Sequence, residues 1–138
     1  MSTTRPAPLD TEHRERLLRA AAERSLGERL LAHLVLGEGL TLAQAVAVRG
    51  SDLCDGAVTV TTKTGKRETR GLSPPAAELA LRAVQDTAAD AMLVTGRSGR
   101  PLSTAAAREI LLGLARTSGV PVRSVHQLRA ERRVVAAA

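Results

Sequence analysis

Apolar positions recur at helical spacing through the first third of the chain. Asp10 has the form of a helix cap, and Leu17, Leu18 and Ala21 make the apolar stripe of a helix running to about Arg24. Ser25-Leu26-Gly27-Glu28 reads as a capping box, and the helix it opens carries Leu30, Leu31, Leu34 and Val35. Gly37-Glu38-Gly39 stops it. A second capping box, Thr41-Leu42-Ala43-Gln44, starts a short helix that buries Leu42, Ala45, Val46 and Val48.

The period then changes from helical spacing to alternation. Val58-Thr59-Val60-Thr61-Thr62 is β-branched and alternating, which predicts a strand. Lys63-Thr64-Gly65-Lys66 is a turn, and Arg67 to Leu72 returns as a second, polar strand. Ser73-Pro74 opens a helix to about Asp86 with Ala77, Leu79, Ala80, Leu81 and Val84 inward. Met92-Leu93-Val94 is expected as a short third strand, followed by the basic loop from Gly96 to Pro101. Ser103 caps a helix to about Arg116 that turns Ile110, Leu111 and Leu114 inward. Ser118-Gly119 ends that helix, and Ser124 caps a last one that includes His126, Leu128 and Arg129 and runs to Ala138. The expectation is an α+β, mainly helical single domain over residues 9–138, with residues 1–8 a flexible N-terminus.

Composition narrows the chemistry. These 138 residues contain no Phe, Trp or Tyr. That excludes aromatic stacking platforms for single strands, aromatic cages for quaternary ammonium groups, and a tyrosine nucleophile on these residues. A hydrophobic content of 43% is enough for a core of Leu, Val and Ala. The formal charge is +6, and 18 of the 20 basic residues are Arg. Arginine forks match phosphate oxygens in pairs, which favours a nucleic-acid or acidic partner, although a GC-rich genome yields the same bias. Cys54 stands alone, and His13, His33 and His126 have no metal-ligand spacing, so no cofactor is expected. The longest apolar run, Leu30 to Leu36, is too short for a bilayer, and the first residues lack a signal-like apolar segment. Composition therefore points to a cytoplasmic protein without a membrane partner.

Four segments gain meaning from their order. They are Gly39-Leu40-Thr41-Leu42-Ala43-Gln44 with Ser51-Asp52-Leu53, the hairpin Lys63-Thr64-Gly65-Lys66-Arg67, Pro101-Leu102-Ser103, and His126-Gln127-Leu128-Arg129. Together they resemble the catalytic domain of the tyrosine recombinases, the phage-integrase family, from Leu9 onward. The resemblance implies that domain's fold, with a small three-stranded antiparallel sheet. That chemistry surrounds one phosphate with preorganised positive charge. On the resemblance, Lys63 stands where the family has its hairpin lysine, and His126 and Arg129 stand on its His-x-x-Arg pair. Thr41 occupies the position of the first arginine and Gln44 that of the usual acidic residue. A segment holding the family's tyrosine has no counterpart after Arg129.

The resemblance therefore implies a catalytically inactive, recombinase-like binder of duplex DNA that regulates recombination or transcription. Lys63, His126 and Arg129 are then vestiges of a phosphate site, with Thr41 in place of its first arginine. Expected DNA contacts are Lys63, Lys66, Arg67, Arg70, Arg97, Arg100, His126, Arg129, Arg132 and Arg133. For each there is a plainer reading: a hairpin edge kept soluble by charge, a solvated loop, or a frayed terminus. The partner could be an active recombinase or a second copy of the chain. Two alternatives stay open: a protein–protein adaptor or homodimer on this scaffold, and a truncated form of an active integrase.

Overall fold

The computed structural model describes residues 11–85, 87–122 and 127–129. Five α-helices lie among them: α1 (Thr11–Ala21), α2 (Leu26–Ala32), α3 (Leu42–Ala47), α4 (Pro74–Gln85) and α5 (Thr104–Ser118). A three-stranded antiparallel sheet of β1 (Leu53–Cys54), β2 (Ala57–Thr61) and β3 (Arg67–Gly71) lies in sequence order, with β2 central. Helix α1 packs on α2 and α5, α2 on α4, and α3 on both α5 and β2. The core is aliphatic throughout: Leu17, Leu30, Leu31, Leu34, Leu36, Leu40, Leu111, Leu114 and Leu128 are its largest fully enclosed leucines. Leucine, valine and alanine together close the interior without aromatic volume.

The local signals act where the sequence places them. The Ser25 hydroxyl accepts the Glu28 N–H (3.4 Å), and Ser103 accepts the Ala106 N–H (3.1 Å). Glu28 departs from the expected capping box. Its carboxylate accepts from the Ser25 hydroxyl (2.9 Å) and pairs with Arg24 (3.7 Å) instead of reaching back to a backbone N–H. That arrangement lets a carboxylate remain buried. Past Ala32 the helix widens into a π-helical turn, His33–Gly37, closed by the Leu40 N–H on the Leu34 carbonyl (3.0 Å). Gly39 follows at φ +77°.

Three expectations need correction. The third strand is Leu53–Cys54, not Met92–Val94, whose Met92 makes only an isolated bridge to Arg49. The cause is the Asp55-Gly56 turn. Both residues have positive φ (49° and 75°), as a two-residue hairpin loop requires, and it folds Cys54 directly onto Ala57. Helix α4 is turned by one position: Ala76, Leu79, Ala80 and Ala83 are buried and Leu81 is 63% exposed. Its N-terminus is tied by the Glu38 carboxylate, which accepts the Ser73 N–H (2.8 Å). The last helix, from Ser124 to Ala138, lies largely outside the described residues. Gln127, Leu128 and Arg129 are described, and they trace a turn rather than α-helix. No helix among the described residues is long and apolar enough to cross a membrane.

Candidate nucleic-acid interface

The hairpin that presents Lys63 is fixed from within. The Thr62 N–H donates to the Lys66 carbonyl (2.8 Å), the Gly65 N–H to the Thr62 carbonyl (3.0 Å), and the Lys66 N–H to the Thr62 hydroxyl (3.2 Å). The Thr62 and Thr64 hydroxyls share a further bond (3.0 Å). The Lys63 side chain is left exposed.

Opposite this hairpin stands the start of α3. Thr41 and Gln44 form a complete capping box: the Thr41 Oγ1 accepts the Gln44 N–H (3.1 Å), and the Gln44 Oε1 accepts the Thr41 N–H (3.0 Å). The third element is the turn at residues 127–129. Leu128 is fully buried and anchors it. Arg129 then reaches back, and its Nε donates to the Gly39 carbonyl at 2.6 Å.

These three elements enclose one open cleft of ≈ 590 Å³. Lys63, Lys66, Arg67, Arg70 and Arg129 line it together with Thr41 and Gln44, and Glu68 is its acidic lining residue. The cleft continues along α3 and β2 towards Arg49 and Asp52. There Arg67 Nη2 pairs with Asp52 Oδ1 (3.2 Å), while Asp52 Oδ2 accepts the Arg49 N–H (2.9 Å) and Arg49 Nη1 donates to the Asp90 carbonyl (3.0 Å). A cluster of cations facing an open groove is suited to polyanion oxygens.

Of the residues singled out from the sequence, Thr41, Lys63, Lys66, Arg67, Arg70 and Arg129 meet at this cleft. Arg97 and Arg100 sit exposed on a separate loop and do not line it. His126, Arg132 and Arg133 lie outside the described residues. Asp52 belongs to a segment that the sequence singled out without giving it a role in the groove, and Arg49 was missed altogether. The signal available was Asp52 three residues after Arg49, the spacing at which a carboxylate accepts a turn's first N–H. Among the described residues, no three His, Cys, Asp or Glu side chains gather as metal ligands. His33, half-buried on the π-helical turn, is held below its ordinary pKa chiefly by burial and secondarily by Arg29, against an opposing pull from Glu38.

This arrangement of helices, hairpin and cleft is the fold of the tyrosine-recombinase catalytic domain. The lambda integrase catalytic core superposes with a TM-score of 0.70 over 90% of this chain and 82% of that one, at 19% identity. XerA recombinase gives 0.74 over 91% of this chain and 48% of its own, at 19% identity. The integrase of mycobacterium phage Brujita gives 0.73 over 94% and 43%, at 20% identity. The chain spans 40% of the lambda integrase seen as a dimer on a COC′ core site. No protein-family model matches the sequence, and no curated protein does.

Proposed function

We propose that this chain is a non-cleaving, tyrosine-recombinase-like DNA-binding protein that regulates recombination or transcription. One observation carries the reading: Thr41, Lys63 and Arg129, far apart in sequence, line a single basic cleft, and the Thr41 hydroxyl serves as a helix cap. The cations favour phosphate binding. A threonine engaged in a cap cannot clamp a phosphate in two places as an arginine does, and these 138 residues hold no tyrosine to form a covalent link. Groups that act as a unit in such chemistry lose orders of magnitude in rate when one is removed. Lambda integrase occurs as a dimer on its core site and a tetramer on a Holliday junction, which supports a DNA duplex, an active recombinase or a second copy as partner.

Fluorescence anisotropy with a labelled random-sequence duplex tests the reading. Five cleft cations on phosphates predict an affinity loss on the order of 10²- to 10³-fold between 50 and 200 mM salt. Absence of binding at low salt overturns it. A covalent adduct on a nicked suicide duplex would overturn the non-cleaving part, whereas a reading frame that runs on from these residues into a tyrosine-bearing segment would favour a truncated active integrase. The second reading, a protein–protein adaptor or homodimer, would use the small apolar groove that exposed Leu81 lines with Leu53, Leu72, Ala77 and Ala80. That reading requires association that DNA does not alter.

A further inference from the structure

The sheet leaves one carbonyl at the base of the Lys63 hairpin for a side chain to satisfy. Strand β1 is two residues long and pairs only as far as Leu53 opposite Val58, so β2 continues beyond it to Thr61. At the next residue the Thr62 N–H turns inward to the Lys66 carbonyl, so in the alternating antiparallel pattern the Thr61 carbonyl faces away from β3. Gln44 Nε2 donates to that carbonyl at 3.2 Å. The other end of the same carboxamide accepts the Thr41 N–H at 3.0 Å. One side chain thus joins the Thr41 turn to the root of the hairpin, two residues before Lys63.

We propose that Gln44 is a positioning residue for Lys63, its carboxamide latching the β2–β3 hairpin to the start of α3 and thereby setting where the lysine stands in the cleft. The consequence for ligand binding rests on the DNA-binding reading above; the latch itself does not. The bonds within the turn at Thr62, Thr64 and Lys66 are solvent-exposed, so how often the hairpin opens depends on what holds its root, and the bond at Thr61 is that hold. Only a carboxamide of this length both accepts at Thr41 and donates at Thr61. A carboxylate accepts but cannot donate. Gln44→Glu therefore keeps the helix cap and removes the latch, separating positioning from capping.

The test is a double-mutant cycle of Gln44→Glu with Lys63→Ala on a labelled duplex, with backbone amide exchange measured on each free protein. In the parent, Lys63→Ala is expected to lower affinity several-fold and the salt slope by about 1. In the Gln44→Glu background the same change has little further effect, because the lysine is no longer held at the phosphate. Exchange at the Thr62 and Lys66 amides quickens at least tenfold in Gln44→Glu, while amides of α2 and α5 stay protected. Ala43→Glu puts the same charge on the exposed neighbour and leaves hairpin exchange unchanged. Additive affinity losses, or unchanged hairpin protection in Gln44→Glu, overturn the proposal. If the parent fails to bind duplex DNA, the DNA-binding reading falls, and the exchange comparison still decides the latch.

Discussion

Arg129 and Gly39 are joined across ninety residues of sequence by a 2.6 Å hydrogen bond from the guanidinium Nε to the carbonyl. The bond ties the turn at residues 127–129 to the backbone immediately before Thr41. A lysine has no planar fork to aim one N–H along the carbonyl while presenting others to the cleft. Arg129→Lys should therefore cost about 1–2 kcal/mol of stability in urea unfolding, besides weakening DNA binding.

Asp52 holds Arg67 at 3.2 Å and so competes with phosphate for that guanidinium. Asp52→Asn keeps an acceptor for the Arg49 N–H and removes the negative charge. Because the Arg67 side chain is 64% exposed, the ion pair contributes under about 1 kcal/mol to folding. DNA affinity should rise several-fold with an almost unchanged urea midpoint. A fall in affinity would show that Asp52 orients Arg67 towards DNA.

Gly27 lies inside the first turn of α2, where the sequence shows only a capping-box spacer. A Cβ there would collide with the backbone oxygen and hydroxyl of Thr95, so the helix start depends on the absent side chain. Gly27→Ala should destabilise the fold by about 1–3 kcal/mol, whereas helix propensity alone predicts a gain. The urea midpoint distinguishes the two.

Leu79 and Leu81 are both expected inward from periodicity, and only Leu79 is. Leu79 is 5% exposed and Leu81 63%. Leu79→Ala should cost about 2–4 kcal/mol, and Leu81→Ala under about 0.5 kcal/mol. If Leu81→Asp dissociates a dimer in sedimentation, the adaptor reading gains the surface it needs.

His33 makes folding pH-dependent. Burial and Arg29 hold its pKa below the ordinary 6.5 in the fold, so the folded chain binds its proton less well than the unfolded one. Stability is then full above about pH 6.5 and falls as pH drops towards the folded value, by at most about 1.4 kcal/mol per unit for one proton. The loss between pH 7.0 and 5.5 should be smaller in His33→Gln, read from urea midpoints.

The local sequence signals were legible because each acts within a few residues. Ser25, Thr41 and Ser103 accept an N–H three positions on, and Gly65 and Gly119 take the positive φ that their turns need. Asp55-Gly56 is as local as these, but it marks only a turn; that the two residues before it pair with β2 as the third strand, in place of Met92–Val94, is not written in the turn itself. The π-helical turn at His33–Gly37 had no such signal in the sequence.

By itself, then, the sequence determined the caps, the turns, the change of period from helix to hairpin and the aliphatic character of the core. Each follows from short-range hydrogen bonding or from side-chain volume. Only the tertiary structure decided that α4 buries Ala83 and exposes Leu81, that Gly27 must admit Thr95, and how Arg129, which the resemblance had grouped with Thr41 and Lys63, is held at their cleft by the Gly39 carbonyl. Those choices depend on which surfaces come together across long stretches of chain. The enclosure of Leu128 in the core, rather than any pattern around it, delivers Arg129 to its place.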